Sequence, residues 1–315
     1  MKIKKRFTST LSLKKNNIPL LTVCVFTYNQ ENYIKDTLDG ILSQTFKDYL
    51  IWIFNDSSTD DTEEICLKYK IKYPKKIKYF NNKKNTGVIK NWILGIKKVK
   101  SKYIAICEGD DYWIDNNKLQ MQVDFLEKNK DYVLSHTNVY TLEKEKLLQS
   151  KPDNFSYENN IYNKNEISTL TAVFRNFKID FSEKWSEFLM ADWPLWISLS
   201  EKGQFKYFDK KTGVYRINET GIWQNGWKDK VGSDRLLNEV EVLKYFLKKG
   251  TNNKKVIQNA IINRLIKVAN FSNKSKAYKL NFNKLNFKYA LKSVILFKEI
   301  MTSFILYPFE KLVSR

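Results

Sequence analysis

The strongest constraint on the fold is a regular exchange between short β-rich runs and amphipathic stretches that begins near Leu20. LLTVCVF has the apolar density of a buried strand, and NYIKDTLDGILSQ sets Ile34, Leu38, Ile41 and Leu42 on one helical face. DYLIWIF reads as a second strand, SSTDDTEEICLKYKIKY as a helix opened by Ser and Thr ahead of acidic residues, and KIKYFNN as a third strand. After the turn NKKNTG, VIKNWILGIKKVK is helical, KYIAICEG is a strand, KLQMQVDFLEKN is a helix and DYVLSHTNVY is a closing strand. This order predicts an α/β fold with a mainly parallel sheet flanked by helices, in which ligands bind beyond the carboxyl ends of the strands.

Past Tyr140 the pattern loosens. The polar segment EKEKLLQSKPDNFSYENN is expected to form a loop and ISTLTAVFRN another strand. EKWSEFLMADWPLWISLSEKG reads as one helix carrying Asp192 and closed by Gly203, and FKYFDKKTGVYRINETGIWQN as two short strands and a loop. From Asp229 to Arg315 the chain is Lys-rich and helical in character. Three units are therefore expected: a basic N-terminal arm over 1–18, a catalytic domain over 19–228 divided at 140/141, and a helical extension over 229–315.

Charge and rare residue types narrow the function. The formal charge of +21 invites a nucleic-acid reading. The charge is mostly Lys, spread along helices and loops rather than gathered with aromatics in one patch, so no nucleic-acid partner is expected. Cys24, Cys66 and Cys107 lie far apart, two of them inside apolar runs, which fits a reducing cytoplasm without disulfides or a zinc site. The single histidine, His136, is expected to be a packed or surface residue, which leaves little room for His-dependent chemistry. MKIKKRFTSTLSLKKNN lacks the apolar core of a secretory signal, and no run of about 18 apolar residues marks a membrane span.

The polar motifs all fall at strand ends. Thr27-Tyr28-Asn29 follows the first strand, Asn55-Asp56-Ser57-Ser58 the second, Asn85-Thr86-Gly87 the third and Glu108-Gly109-Asp110-Asp111 the fourth. One crevice should collect them. Neither GxGxxG nor GxxxxGK[ST] occurs, so the dinucleotide fingerprint and the P-loop are missing. Adjacent carboxylates at a strand end repel one another unless a cation lies between them, and Mg²⁺ or Mn²⁺ held by one or two carboxylates can also bind a substrate diphosphate. Taken singly, each motif is also an ordinary turn or helix cap.

TVCVFTYNQENYI, IWIFNDSSTDDT, NNKKNTGVIKNW and YIAICEGDDYW, in this order, resemble the nucleotide-sugar-binding half of family 2 glycosyltransferases, whose fold is GT-A. The likeness covers roughly residues 19–140 and extends more loosely to ADWPLW and VYRINETGIW. It implies that Thr27, Tyr28 and Asn29 belong to the loop that holds the nucleobase and that Asp56 accepts a hydrogen bond from it. It implies that Asn85, Gly87 and Lys90 lie near the nucleotide, that Asp110 reaches the ribose and that Asp111 coordinates Mn²⁺ or Mg²⁺, with Glu108 leading the motif. Asp192 matches the family's catalytic base at a helix start, and Trp193, Arg216 and Trp223 fall on the acceptor side. Many relatives carry His two positions after the Arg, where this chain has Asn218, and small glycines where it has Glu219 and Thr220.

The resemblance thus implies an inverting, metal-dependent transfer of a sugar from a nucleoside diphosphate, UDP being favoured, to a hydroxyl of a glycan or lipid-linked acceptor in surface polysaccharide synthesis. Such an enzyme is expected in the cytoplasm. The C-terminal helices have two readings: peripheral contact with the inner face of the membrane, or packing on the catalytic domain or a partner subunit. The rivals are a nucleotidyltransferase, for which a Gly-rich, Lys-bearing phosphate loop is missing, a nucleic-acid-binding protein, and an inactive scaffold of the same fold.

Overall fold

The computed structural model describes residues 18–144, 146–149, 161–179, 181–218 and 230–277. Its centre is a nine-stranded sheet in the order β3-β2-β1-β4-β8-β6-β9-β5, with β7 paired to β6. The first half is built as expected: β1 (Leu21–Thr27), α1 (Ile34–Leu42), β2 (Tyr49–Asn55), α2 (Thr62–Lys72), β3 (Ile77–Asn81), α3 (Val88–Lys98) and β4 (Tyr103–Ile106). β3, β2, β1 and β4 are parallel neighbours.

These strands are apolar throughout because both faces are covered. Cys24, Phe26, Phe54, Ile104 and Ile106 point to one core with Trp92, Ile93 and Ile96 of α3. Val23, Val25, Ile51, Ile53 and Ala105 point to the other, with Ile34, Leu38 and Ile41 of α1. Gly95 lets α3 settle onto the sheet, since a Cβ there would collide with the ring of Phe26 and lie 3.1 Å from that of Phe54.

The second half departs from a parallel pattern. It comprises β5 (Tyr112–Trp113), α4 (Lys118–Lys128), β6 (Tyr132–Glu143), β7 (Lys146–Gln149), a 3-10 turn at Thr169–Thr171, β8 (Val173–Arg175), a 3-10 turn at Glu183–Glu187, α5 (Asp192–Ser200), β9 (Gln204–Ile217), α6 (Lys230–Lys249) and α7 (Lys254–Ala277). β8 inserts antiparallel between β4 and β6, so the sheet is mixed. Part of the expected loop after Tyr140 instead forms β7, hairpinned onto β6. The expected two short strands before Asn218 are one long strand, β9, paired parallel with β6 through register shifts near Thr137 and Asn138 that absorb its polar stretch. The Trp-rich segment is a 3-10 turn followed by a nine-residue helix rather than one helix. Gly203 lies past that helix, where a Cβ would meet the Asp131 carbonyl oxygen at 2.5 Å.

α5, α6 and α7 share the core of α3 through Leu195, Trp196, Leu243, Phe246, Ile261 and Leu265. No helix among the described residues is long and apolar enough to cross a membrane. The arm up to residue 17 and the segment 278–315 lie outside the described residues. His136 is 1% exposed and burial pushes its imidazole down to about 3, the state of a packed neutral side chain. Lys118 is fully buried: Nζ donates to Gln122 Oε1 at 2.8 Å and lies 4.3 Å from the Trp113 ring centre, and burial lowers its ammonium to about 7.

Candidate active site

At the carboxyl ends of β1, β2 and β4 opens a cavity of about 640 Å³. The β1 strand delivers Thr27, Tyr28 and Asn29 to it, β2 delivers Asp56, and the acidic turn after β4 delivers Glu108, Asp110 and Asp111. Asp192 enters at the first turn of α5, and Tyr215, Arg216 and Asn218 enter from β9 and the residue beyond. Sites split between two halves of the sequence therefore share one space.

Each loop is tied down by its own polar side chains. Asn29 takes a left-handed conformation with φ 51°, accepts the Thr59 N–H at 2.8 Å on Oδ1 and donates its own N–H to Ser58 Oγ at 3.0 Å, joining the loops after β1 and β2. Tyr28 is 44% exposed and presents a ring at the rim. Asp56 is 2% exposed and folds the β3–α3 loop around itself: Oδ1 accepts from Asn82 Nδ2 (2.6 Å), Thr86 N–H (2.9 Å) and Thr86 Oγ1 (2.9 Å), and Oδ2 accepts the Gly87 N–H (2.9 Å). Asn85 closes the same turn by accepting the Gly87 N–H at 3.0 Å, and Gly87 has φ 86°, which favours glycine.

The acidic turn continues the parallel ladder, with Cys107 N–H and Gly109 N–H donating to the carbonyls of Cys24 and Phe26 at 3.1 and 2.9 Å. From beneath, the buried Thr37 hydroxyl of α1 stands 3.0 and 2.6 Å from the carbonyls of Gly109 and Asp111. Gly109 is required here: a Cβ would run into Gln30 Oε1 and lie 2.8 Å from Thr27 Oγ1. Asp110 Oδ2 accepts from Asn218 Nδ2 at 3.0 Å, and Asp111 Oδ1 accepts the Arg216 N–H at 2.9 Å.

Burial raises the carboxyls of Glu108, Asp110, Asp111 and Asp192, and repulsion from neighbouring carboxylates adds to it at Glu108 and Asp111. The Glu108 carboxyl is pushed up to about 8, mainly by burial and then by the charges of Asp110 and Asp192. Asp111 is raised well above the usual range by burial and then by Asp110 and Glu108, while Asp110 is raised by burial against the opposing bond from Asn218. Burial also raises Asp192, opposed by a bond from Asn165 Nδ2 (2.7 Å) and by N–H groups at the helix start.

The donor set suits a hard divalent cation. Five carboxylates and one guanidinium line the cavity among the described residues, and Glu108 Oε2 is buried without a hydrogen-bond partner. No group of three or more His, Cys, Asp or Glu side chains among the described residues is placed to hold a metal ion by itself. A few protein oxygens with the remaining positions left to water and phosphate is how Mg²⁺ and Mn²⁺ are commonly held.

Three of the expected site residues are placed as follows. Lys90 is exposed and does not line the cavity, because the helical phase of α3 turns Asn91 inward instead. Trp193 is fully enclosed, donating Nε1–H to the Ile161 carbonyl at 2.7 Å under the Arg264 guanidinium, so it offers no ring face to a sugar. Arg216 lines the cavity, but its guanidinium donates to the Asp110 carbonyl at 2.9 Å and to Asp36, and stacks 4.3 Å from the Tyr112 ring centre. These contacts brace the acidic turn. Trp223, Glu219 and Thr220 lie outside the described residues. Sequence reasoning missed Gln30, Asn91, Tyr215 and Asn165. Gln30 and Asn91 stand inside quoted motifs, whereas nothing near Asn165 marks it.

The acidic turn, the Asp192 carboxylate and the aromatic rim thus meet in one strand-end cavity, the arrangement of a small-ligand site in an α/β sheet. The family model for Glycosyl transferase family 2 matches residues 22–185, and the chain belongs to that family. The chain is 28% identical over 232 residues to the Escherichia coli UDP-Glc:alpha-D-GlcNAc-diphosphoundecaprenol beta-1,3-glucosyltransferase WfaP, covering 71% of this chain and 87% of that protein. It is 27% identical over 216 residues to an uncharacterized protein of Mycobacterium tuberculosis and 31% identical over 224 residues to an uncharacterized glycosyltransferase of Rickettsia conorii. Those alignments each take in 67% of this chain but only 62% and 35% of the respective relatives. Among solved structures, Staphylococcus aureus TarS 1-349 in complex with UDP aligns with TM-score 0.61 and 18% identity over 83% of this chain and 75% of TarS. The mannosyltransferase PcManGT from Pyrobaculum calidifontis, in complex with GDP-Man and Mn²⁺, aligns with TM-score 0.62 and 13% identity over 90% of this chain and 82% of PcManGT. These two share the GT-A-like fold.

Proposed function

We propose that this chain is an inverting, metal-dependent glycosyltransferase that moves a sugar from a nucleoside diphosphate, UDP being favoured, to a hydroxyl of a surface glycan or its lipid-linked precursor. The observation that carries the reading is the sharing of one cavity by Asp110 and Asp111 from the first half and Asp192 from the second. In this reading residues 19–140 form the donor half, 141–228 the acceptor half and 229–315 a helical extension.

Tyr28 offers a ring face for the nucleobase, and Asp56 Oδ2 keeps a lone pair for a base N–H. Asp111, with Asp110 toward the ribose, would hold Mn²⁺ or Mg²⁺. That ion supplies Lewis-acid stabilisation of the charge that develops on the departing diphosphate. Asp192 takes the proton of the acceptor hydroxyl as its oxygen bonds to the anomeric carbon, and the electrons of the breaking C1–O bond leave with the diphosphate. A base and no enzyme nucleophile give one displacement, hence inversion. Its burial makes Asp192 a stronger base than a solvated carboxylate. Without a cation the acidic lining repels a phosphate backbone, which counts against a nucleic-acid ligand in this cavity.

The name of WfaP, with its diphosphoundecaprenol acceptor, supports a lipid-linked acceptor for this chain too. The test is thermal stabilisation by UDP, GDP, CDP and dTDP with and without Mn²⁺, since a ligand of the folded state raises the melting temperature. A shift with one nucleotide that requires Mn²⁺ and vanishes in Asp111→Ala supports the donor site. No shift with any nucleotide overturns it.

A further inference from the structure

Asn165 is absent from every motif in the sequence, yet its amide meets the proposed base. Nδ2 donates to Asp192 Oδ2 at 2.7 Å, and Thr169 Oγ1 stands 3.5 Å from the same oxygen. The other end of the amide, Oδ1, is buried without a hydrogen-bond partner. Turned over, the amide would set its oxygen against the carboxylate, so the observed orientation keeps the donor on Asp192 and leaves the carbonyl unsatisfied. A buried unpaired acceptor is unfavourable and calls for an explanation.

We infer that Asn165 is a positioning residue for Asp192: it holds Oδ2 and leaves Oδ1 as the oxygen that takes the acceptor proton. The inference rests on the proposed role of Asp192. A hydrogen bond to the ionised form also favours the carboxylate, which opposes the upward push of burial. Among the described residues, the other charged or titratable groups that act on Asp192 are Glu108 of the acidic turn, Tyr215 of β9 and Arg235 of α6.

The segment carrying Asn165 is anchored by the C-terminal helices. Arg264 of α7 pairs with Glu239 of α6 at 2.7 Å and donates to the Asn163 carbonyl at 3.0 Å, and Asn253 Nδ2 donates to Tyr162 Oη at 2.9 Å. The α6–α7 hairpin thereby fixes the partner of the base without entering the cavity.

The experiment follows the Asp192 carboxyl by ¹³C NMR on the full chain labelled at aspartate, with Asp192→Asn to assign the signal. Asn165→Leu is expected to raise the titration midpoint of Asp192 by about one pH unit, the size expected for one lost hydrogen bond to a charged group. With an unaltered melting curve, a purely structural role would leave the midpoint in place, and that result overturns the inference. If Asn165→Leu does not fold, Asn165→Ala removes the donor without adding a charge; a raised midpoint supports the inference and an unchanged one overturns it. Sugar transfer by Asp192→Asn separates the two claims. Retained transfer refutes the base role and with it the catalytic meaning of Asn165, whereas lost transfer with an unmoved midpoint in Asn165→Leu refutes the positioning role alone.

Discussion

Replacing Asp56 by Asn removes one negative charge and one acceptor at nearly constant shape. The amide oxygen can occupy the place of Oδ1 and keep the bonds from Asn82 Nδ2, Thr86 N–H and Thr86 Oγ1. Its NH₂ then faces the Gly87 N–H, donor against donor, where Oδ2 now accepts at 2.9 Å. One lost bond to a charged acceptor costs about 1.5–3 kcal/mol. The retained three weaken as well, because bonds to an ionised acceptor are roughly twice as strong as neutral ones. With Asp56 only 2% exposed, water does not replace Oδ2, and the Gly87 N–H keeps only its bond to Asn85 Oδ1. A total loss of about 2–4 kcal/mol is therefore expected. Urea unfolding measures it as a lower midpoint with an unchanged slope, and amide exchange locates it at Thr86 and Gly87. Nucleotide affinity should fall too, since Oδ2 is the proposed acceptor for the base. A loss below about 0.5 kcal/mol with Gly87 protection unchanged would refute the claim that this carboxylate organises the loop.

The remaining expectations concern the acidic turn and its support. Gly109→Ala should cost about 1–3 kcal/mol and displace the turn, because its Cβ meets Thr27 and Gln30; wild-type melting and nucleotide binding would show that the turn has room. Arg216→Leu removes the donor to the Asp110 carbonyl and should cost about 1–2 kcal/mol while weakening nucleotide binding. Intact nucleotide affinity with a raised acceptor KM would instead restore Arg216 to the acceptor side. Lys118 has a folded value of about 7, below its unfolded value of 10.5, so between these values the unfolded chain binds more protons and stability rises with pH. The slope, at most about 1.4 kcal/mol per pH unit, should disappear in Lys118→Met; denaturant midpoints from pH 7 to pH 10 decide it.

The first half of the fold was legible because its signals are local. Strands covered on both faces are continuous apolar runs, and α1 shows its buried side through Ile34, Leu38 and Ile41. β8 has three residues, too few for a period to identify its neighbours, so its antiparallel insertion was invisible. β9 was read as two strands because its polar middle interrupts the alternation, a break that the shifted register with β6 accommodates. Lys90 and Asn91 differ by one position, about 100° of helical phase, and no pattern fixed which of them faces the cavity. Trp193 was expected on the acceptor side, but packing among α3, α5, α6 and α7 encloses its ring, which no local pattern records.

By itself the sequence determined the α/β alternation, the family motifs and the placement of Asp56 and the Asp110–Asp111 pair at strand ends, since each follows from residues close together in the chain. Only the tertiary structure decided which groups meet. Arg216 backs the acidic turn from 105 positions away, and Asn165 holds Asp192 across 27. Such contacts depend on how strands pair and helices dock, and no local periodicity records that choice.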